Sequence, residues 1–280
     1  EKAVRNMGYM RAKVHLDTLT HKNKMKLNYR IEAGKPYIIR HIAYQMDDLV
    51  IYDFIEKDSL NSCIRKDMPF DVLALDNERQ RITKLLQDNG YYKFNKDFIV
   101  YQADTVRNTY DVNLTMKLLP YQRRKEDTPT KHKQYTVRNV NFLAEENASL
   151  TDKNYTGYDS LHHKGLNIYY KDKAYLRPNT LANFNYIRPG ELYSDQDVQT
   201  TFTSMGRLRA LKYTNIRFDE VLEKDSNQLD ANILLTKGKN QSLSFEIEGT
   251  NSAGDLGAAA SLTFQHRNLF KGSETFTIKV

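Results

Sequence analysis

The 280-residue sequence has no tryptophan, one cysteine and 6 prolines, and each shortage removes a class of protein. A single cysteine forbids an internal disulfide and a cysteine zinc site, so any core must be held together by burial. With only 6 Pro and 12 Gly, collagen-like and low-complexity architectures are excluded. No apolar run approaches the roughly 18 residues that a membrane helix needs. The mean hydropathy of -0.70 is that of a water-exposed chain, but alternating strands of a membrane β-barrel also satisfy it. What the sequence does hold is 19 Tyr and 12 Phe. Flat and branched side chains suit a pleated, half-buried surface, which leans the reading toward sheet. Glu1–Met7 reads as the tail of a helix and Val280 falls inside an alternating run, so the chain is expected to be a piece of something longer.

Three signatures recur in order, which points to tandem modules. The segment Tyr37–Tyr44 aligns without gaps to Tyr135–Phe142, with Tyr, Arg and the apolar positions in register. A glycine closes a helical stretch at Gly8, Gly90 and Gly206, where a positive φ is expected. An alternating strand carries asparagine at one fixed place, at Asn28, Asn113 and Asn232. Between each glycine and its asparagine there is room for a strand, a turn and a return strand.

The clearest unit runs from Tyr37 to Tyr121. Its pattern predicts a strand over Tyr37–Tyr44 and a short helix near Leu49–Ile55, capped by Asp47 or Asp48. A second helix is expected over Asp71–Asn89, with Leu75, Ile82, Leu85 and Leu86 on one face. A hairpin of Phe98–Ala103 and Tyr110–Leu118 follows, turning at Asp104–Asn108. The order is β-α-α-β-β, with one sheet face buried under two helices. The polar, basic segment Gln122–Lys133 reads as a solvated linker and hinge. From Gln134 to Lys237 the same order returns with an insertion at Glu145–Lys173. Its helices begin near Arg177-Pro178 and at Ser194, the second with an acidic capping-box pattern, and its hairpin strands are Lys212–Val221 and Leu229–Thr236. Beyond Gln241, Leu243, Phe245 and Ile247, then Ala258, Ala260, Leu262 and Phe264, then Phe276, Ile278 and Val280 alternate with polar residues. Such strands suit a membrane barrel or a sandwich, but three are too few to close a barrel.

Little in the chain points to catalysis. His162-His163 are adjacent and so diverge, which reads as a loop pair rather than metal ligands. Cys63 reads as a lone structural thiol, and Glu246 and Glu248 share the polar face of one strand. The net charge of +7 is densest at Arg123-Arg124-Lys125 and Lys131-His132-Lys133, which carry no nucleic-acid-binding motif. No catalytic, cofactor-binding or metal-binding residue is assigned, the chain is read as non-enzymatic, and no nucleic-acid partner is expected.

The helix-end motif Leu85-Leu86-Gln87-Asp88-Asn89-Gly90-Tyr91-Tyr92, the element Ile187-Arg188-Pro189-Gly190-Glu191-Leu192-Tyr193-Ser194 and the turn Asn268-Leu269-Phe270-Lys271-Gly272 resemble the POTRA region and first barrel strands of the BamA/TamA outer-membrane assembly family. The middle unit departs from the family pattern at Lys66-Asp67-Met68-Pro69, where Gly followed by an acid is usual. Tyr169–Lys173 and Arg177-Pro178 are most similar to TamA-like proteins of the Bacteroidota. The resemblance implies an α+β chain of tandem POTRA modules followed by antiparallel strands of an incomplete β-barrel. Its segments would be a partial module over 1–35, modules over 36–121 and 134–238, the linker 122–133 and the barrel start 239–280. It implies an outer-membrane protein with its modules in the periplasm, handling unfolded outer-membrane proteins together with periplasmic or lipoprotein partners, and meeting outer-membrane lipid through the barrel. Two-partner secretion and a purely structural assembly scaffold are the alternative uses of such modules.

In this module the first hairpin strand is expected at a sheet edge, with unpaired N–H and C=O groups that an extended peptide can use. The candidate residues are Phe98, Ile99, Val100 and Tyr101 in one module and Tyr213, Ile216 and Phe218 in the other.

Overall fold

The computed structural model describes residues 2–21, 24–107, 109–122, 128–145, 155, 157–222, 226–252 and 255–280. They form two compact units, the first made of 1–87 and 93–132, the second of 88–92 and 133–280. The first runs α1 (Lys2–Asn6), β1 (Lys13–His21), β2 (Lys24–Glu32), β3 (Ile38–Gln45), α2 (Leu49–Lys57), α3 (Val72–Asp88), β4 (Ile99–Thr105) and β5 (Asp111–Leu118). The second runs β6 (Thr136–Glu145), β7 (Asp159–His163), β8 (Leu166–Tyr170), α4 (Pro178–Phe184), α5 (Asp195–Met205), β9 (Leu211–Glu220), β10 (Gln228–Lys237), β11 (Gln241–Ser252), β12 (Asp255–His266) and β13 (Phe276–Lys279). Both modules have the expected β-α-α-β-β order, and the chain is a mixed α+β protein without a closed barrel among its described residues.

In each module the first and last strands are neighbours and run parallel. The first sheet has the order β3-β5-β4, with β3 parallel to β5 and β4 antiparallel to it. The second has the order β7-β8-β6-β10-β9, with β6 parallel to β10 and β9 antiparallel to β10. The two parallel pairs share a defect at the same place: the register slips at Arg40 in one and at Arg138 in the other. Each arginine is the extra residue of a β-bulge. Arg40 Nε donates to Asp111 at 2.7 Å, while Arg138 donates to both oxygens of Asp230 at 3.0 and 2.6 Å. The arginine that the repeat keeps in register thus clamps the bulge to the last strand.

The same comparison explains the departure at Asp67. Asp67 N–H donates to Ile39 O at 2.8 Å, and Gly190 N–H donates to the equivalent Val137 O at 2.7 Å. Both residues have positive φ, +67° and +86°. Aspartate is among the few residues that tolerate this region, and here its carboxylate also accepts from Arg40 at 2.5 Å.

Local signals account for the helices. Asp48, not Asp47, caps α2, accepting from the N–H groups of Val50 and Ile51. The buried stripe of α3 is Leu75, Glu78, Ile82 and Leu86, with Leu85 only partly covered. Glu78 was hidden in the sequence because it is a carboxylate in an apolar stripe. It accepts from Cys63 N–H at 2.7 Å, from the Ser62 hydroxyl at 3.0 Å and from Arg81 at 2.7 and 2.9 Å. Burial pushes its pKa up, but the bonds from Arg81, Cys63 and Ser62 and the Arg81 charge outweigh that and hold it below the ordinary value. Cys63 is therefore structural through its backbone N–H; its thiol is exposed. Ser194 caps α5 by accepting from Asp197 N–H at 3.2 Å.

Two further expectations, the histidine loop pair and the solvated linker, are corrected. Within the insertion of the second module, β7 and β8 extend the sheet, β8 running parallel to β6. His162 and His163 lie in β7 and contact Asn167 Oδ1 at 3.0 Å and Asn179 Oδ1 at 2.8 Å, so they are not a loop pair. Residues 146–154 of the insertion, Asn108 of the hairpin turn and the basic run Arg123-Arg124-Lys125 lie outside the described residues. The segment read as a solvated linker is partly tied down: Thr130 exchanges backbone hydrogen bonds of 2.8 and 2.9 Å with Tyr121. His132 packs among Phe94, Phe98 and Tyr121, with ring centroids 4.9, 4.7 and 6.3 Å away. Burial lowers its pKa by more than the hydrogen bond to Leu119 O raises it.

The last strands form a meander, β11-β12-β13, with both pairs antiparallel. Phe245 faces Leu262 and Phe264 faces Ile278 on one side, and Leu243, Phe245, Ile247, Leu262 and Ile278 are exposed there. The turn from β12 to β13 is tied to the α/β module. Asn268 Nδ2 donates to Tyr175 O at 3.0 Å, Arg177 N–H donates to Lys271 O at 2.7 Å, and Ala210 N–H donates to Ser273 Oγ at 2.9 Å.

Gly8 and Gly90 have φ of +92° and +93°, and each carbonyl accepts the N–H of the following module's tyrosine, Tyr37 at 2.9 Å and Tyr135 at 2.8 Å. Gly206 differs from the expectation: it caps α5 at φ -62°, an ordinary helical value. A Cβ on Gly90 would also lie 3.2 Å from Leu192 Cδ2 and 3.3 Å from Gln134 Cβ. Gly90→Val is expected to lower stability by about 1 kcal/mol or more through left-handed strain. Gly206→Ala is expected to leave stability unchanged or raise it by up to about 1 kcal/mol. Chemical denaturation of both variants checks the contrast, which equal midpoints would contradict.

Candidate strand-binding edges

Each parallel central pair leaves the first hairpin strand on the outside of its own sheet. Among the described residues β4 pairs only with β5 and β9 only with β10, so each has an outer side without a described strand neighbour in its unit. Which backbone groups face outward follows from antiparallel alternation. Leu119 N–H donates to Phe98 O at 2.8 Å and Val106 N–H to Asp111 O at 3.0 Å, at the two ends of an unbroken register. Even-numbered residues of β4 therefore direct their N–H and C=O at β5, and Tyr101, Ala103 and Thr105 direct theirs outward. In β9 the bond from Val221 N–H to Gln228 O, 3.0 Å, sets the opposite parity. There Thr214, Ile216 and Phe218 direct theirs outward.

The sequence-derived candidates fall into distinct places. Phe98 is not in the strand: it ends a 3-10 turn over Lys96–Phe98, and its carbonyl is taken by Leu119. The N–H of Ile99 closes that turn onto Lys96 O, and its side chain is in the core. Val100 is at the edge of exposure, but its backbone faces β5. Tyr101 has both an outward backbone and a side chain on the helix-covered face, where the Arg79 guanidinium lies 5.2 Å from its ring centroid. Burial, and then the charge of Glu78, pushes the Tyr101 hydroxyl well above its ordinary pKa. In β9, Ile216 and Phe218 pair an outward backbone with side chains packed on the core. Tyr213 lies on the other face, 64% exposed, with its backbone turned to β10. Sequence patterning located both strands apart from Phe98, while the parity depends on the hairpin register.

The opposite face of the second sheet holds a polar row that the repeat's fixed asparagine foreshadowed. Asn167 donates to Asn141 at 3.0 Å, Asn141 to Asn232 at 2.9 Å and Asn232 to Asp219 at 3.0 Å. Tyr155, stacked on Tyr169 at 3.8 Å, donates to Asn232 at 2.7 Å. Asn141 and Asn232 are buried, whereas Asn113 at the equivalent place in the first module is exposed. A fully bonded row of this kind rigidifies a sheet face.

No protein-family model and no curated protein matches this sequence. Among solved structures, the crystal structure of BamA from Haemophilus ducreyi lacking POTRA domains 1-3 matches at TM-score 0.58 and 13% identity, over 87% of this chain and 37% of that one. The chain therefore spans a little over a third of that structure's length. BamA POTRA3-5 from Haemophilus influenzae matches at TM-score 0.45 and 13% identity over 84% of this chain and 76% of that one. CdiB from Acinetobacter baumannii matches at TM-score 0.37 and 8% identity over 87% and 38%. The first of these shows the fold: α/β modules of the POTRA type.

Hydrogen exchange followed by NMR reads the parity directly. The amides of Tyr101, Ala103, Thr214, Ile216 and Phe218 are expected to exchange much faster than those of Val100, Gln102, Asn215 and Arg217. Uniform protection along β4 or β9 would mean that its outer edge is covered.

Proposed function

We propose that this chain is the membrane-proximal part of an outer-membrane protein assembly factor, non-enzymatic, with its modules in the periplasm. Extended segments of unfolded outer-membrane proteins add to the outer edges of β4 and β9, and β11–β13 enter the membrane as the start of a barrel. The observation that carries this reading is the pair of sheet edges, each with outward N–H and C=O groups on alternate residues. Backbone pairing recognises extended chain of any sequence, which is what a handler of many unfolded clients requires. Two such edges on one chain also raise avidity for a long client without demanding sequence specificity.

The meander supports the membrane half of the reading. Its one exposed apolar face suits lipid, and Glu246 and Lys279, 3.9 Å apart, lie on the other. Periplasmic or lipoprotein partners would dock on remaining module surfaces. Within the BamA/TamA family, Tyr169–Lys173 and Arg177-Pro178 favour the TamA-like branch of the Bacteroidota.

Titration with alternating β-strand peptides, followed by NMR, is expected to shift resonances in Ile99–Thr105 and Leu211–Glu220. Ile216→Pro removes an outward donor at an edge where proline is tolerated, and should weaken binding at β9. Ile216→Val keeps that donor and should bind as wild type. Val100→Pro is the wrong probe for this purpose, because its N–H belongs to the pair with β5 and its loss breaks the hairpin. Shifts elsewhere, or equal binding by the proline and valine variants, would contradict strand addition.

A further inference from the structure

Two polar atoms of α3 and one of β4 are buried without a hydrogen-bond partner among the described residues: Arg79 Nε, Thr83 Oγ1 and Tyr101 Oη. Arg79 and Thr83 are four residues apart on α3 and so share one helix face. Arg79 lies over the Tyr101 ring, which brings this face of the helix to the edge strand. A guanidinium nitrogen is a donor only, and both hydroxyls have a proton to give. The site is therefore rich in donors.

The carboxylates of the same helix are already engaged: Asp76, which feels the Arg79 charge, accepts from Gln80 and Lys96. Glu78, the buried carboxylate of the same helix, is already bonded to Arg81, Cys63 N–H and Ser62, with its charge met by Arg81. Buried polar groups are satisfied in the great majority of proteins, so a cluster of unmet donors at an open edge calls for an acceptor from outside. A strand added to β4 supplies one. Tyr101 directs its backbone outward, so an antiparallel guest forms a hydrogen-bonded pair with it and places the opposing side chain on the same sheet face. That side chain lies beside Tyr101, on the face covered by α3.

We infer that β4 selects extended segments carrying an acidic side chain at the position opposite Tyr101, received by Arg79, Thr83 and the Tyr101 hydroxyl. The inference rests on the reading of β4 as a strand-addition edge and adds a preference to it. At β9 the corresponding side chains are Ile216 and Phe218, packed on the core, so no such preference belongs there.

The test uses the 280-residue chain in zwitterionic detergent and four alternating β-strand peptides identical except for Glu, Gln, Leu or Lys at one central position. NMR shifts in Ile99–Thr105 and in Leu211–Glu220 report the two edges separately. At β4 the Glu peptide is expected to bind about tenfold more tightly than the Leu peptide, with Gln between them and Lys weakest. At β9 all four should bind alike. Tyr101→Phe and Thr83→Val, both close in shape, should each reduce the Glu preference and leave Leu-peptide binding unchanged, which also shows that the variants fold. Equal affinity of the four peptides at β4, or a Glu preference untouched by both variants, overturns the inference while leaving strand addition in place. Absence of shifts in Ile99–Thr105 with every peptide overturns the strand-addition reading itself.

Discussion

The parallel pairing of the first and last strand of each module is the constraint from which the rest follows. Parallel neighbours cannot be joined by a tight turn, so a crossover must intervene, and here it is the two helices that cover one sheet face. Once the last strand lies beside the first, the strand that precedes it in the hairpin is forced to the outside. β4 and β9 are edges for this topological reason, not because of their composition. The Arg40–Asp111 and Arg138–Asp230 contacts hold the central pairing at its one irregular point. Both pairs are partly exposed, so their value lies in fixing a bulge in place more than in net stabilisation.

The modules elaborate this plan differently. The first keeps three strands and puts a bonded carboxylate, Glu78, into its core to hold the segment around Ser62 and Cys63 against α3. The second adds β7 and β8 and an asparagine row, and is joined to the meander through Tyr175, Asn268 and Ser273. Asn268 opens the turn motif Asn268-Leu269-Phe270-Lys271-Gly272 that stands out in the sequence. Its two side-chain bonds, to Tyr175 O and from Ser273 N–H, give that motif a physical role at the junction.

Much of this was legible in the sequence where local chemistry decides the outcome. The glycine at 90, the apolar stripe of α3, the Ser194 cap and the one-sided strands from Gln241 onward each carry their signal within a few residues. What escaped depends on contacts far apart along the chain. The register slip at Arg40 is visible only when Asp111 is opposite it. Glu78 looks like a surface residue until Arg81 and the Cys63 amide converge on it. The strands β7 and β8 lie in an insertion with no counterpart in the other module, so the repeat gave no template for them. Phe98 was read one residue too far into β4 because aromatic residues favour strands, whereas Asn95 caps a 3-10 turn there. Arg79 and Thr83 carry no motif at all.

The central claim is that an extended chain pairs through its backbone with the outer edge of β4. The most direct measurement is of intermolecular nuclear Overhauser effects between an isotope-labelled 280-residue chain and an unlabelled β-strand peptide. Strand addition predicts contacts from peptide backbone protons to the amide and α protons of Tyr101 and Ala103, in one register, with none to the β5-facing amides of Val100 and Gln102. Contacts confined to side chains of α2 and α3, with the amides of Tyr101 and Ala103 unaffected, would contradict it.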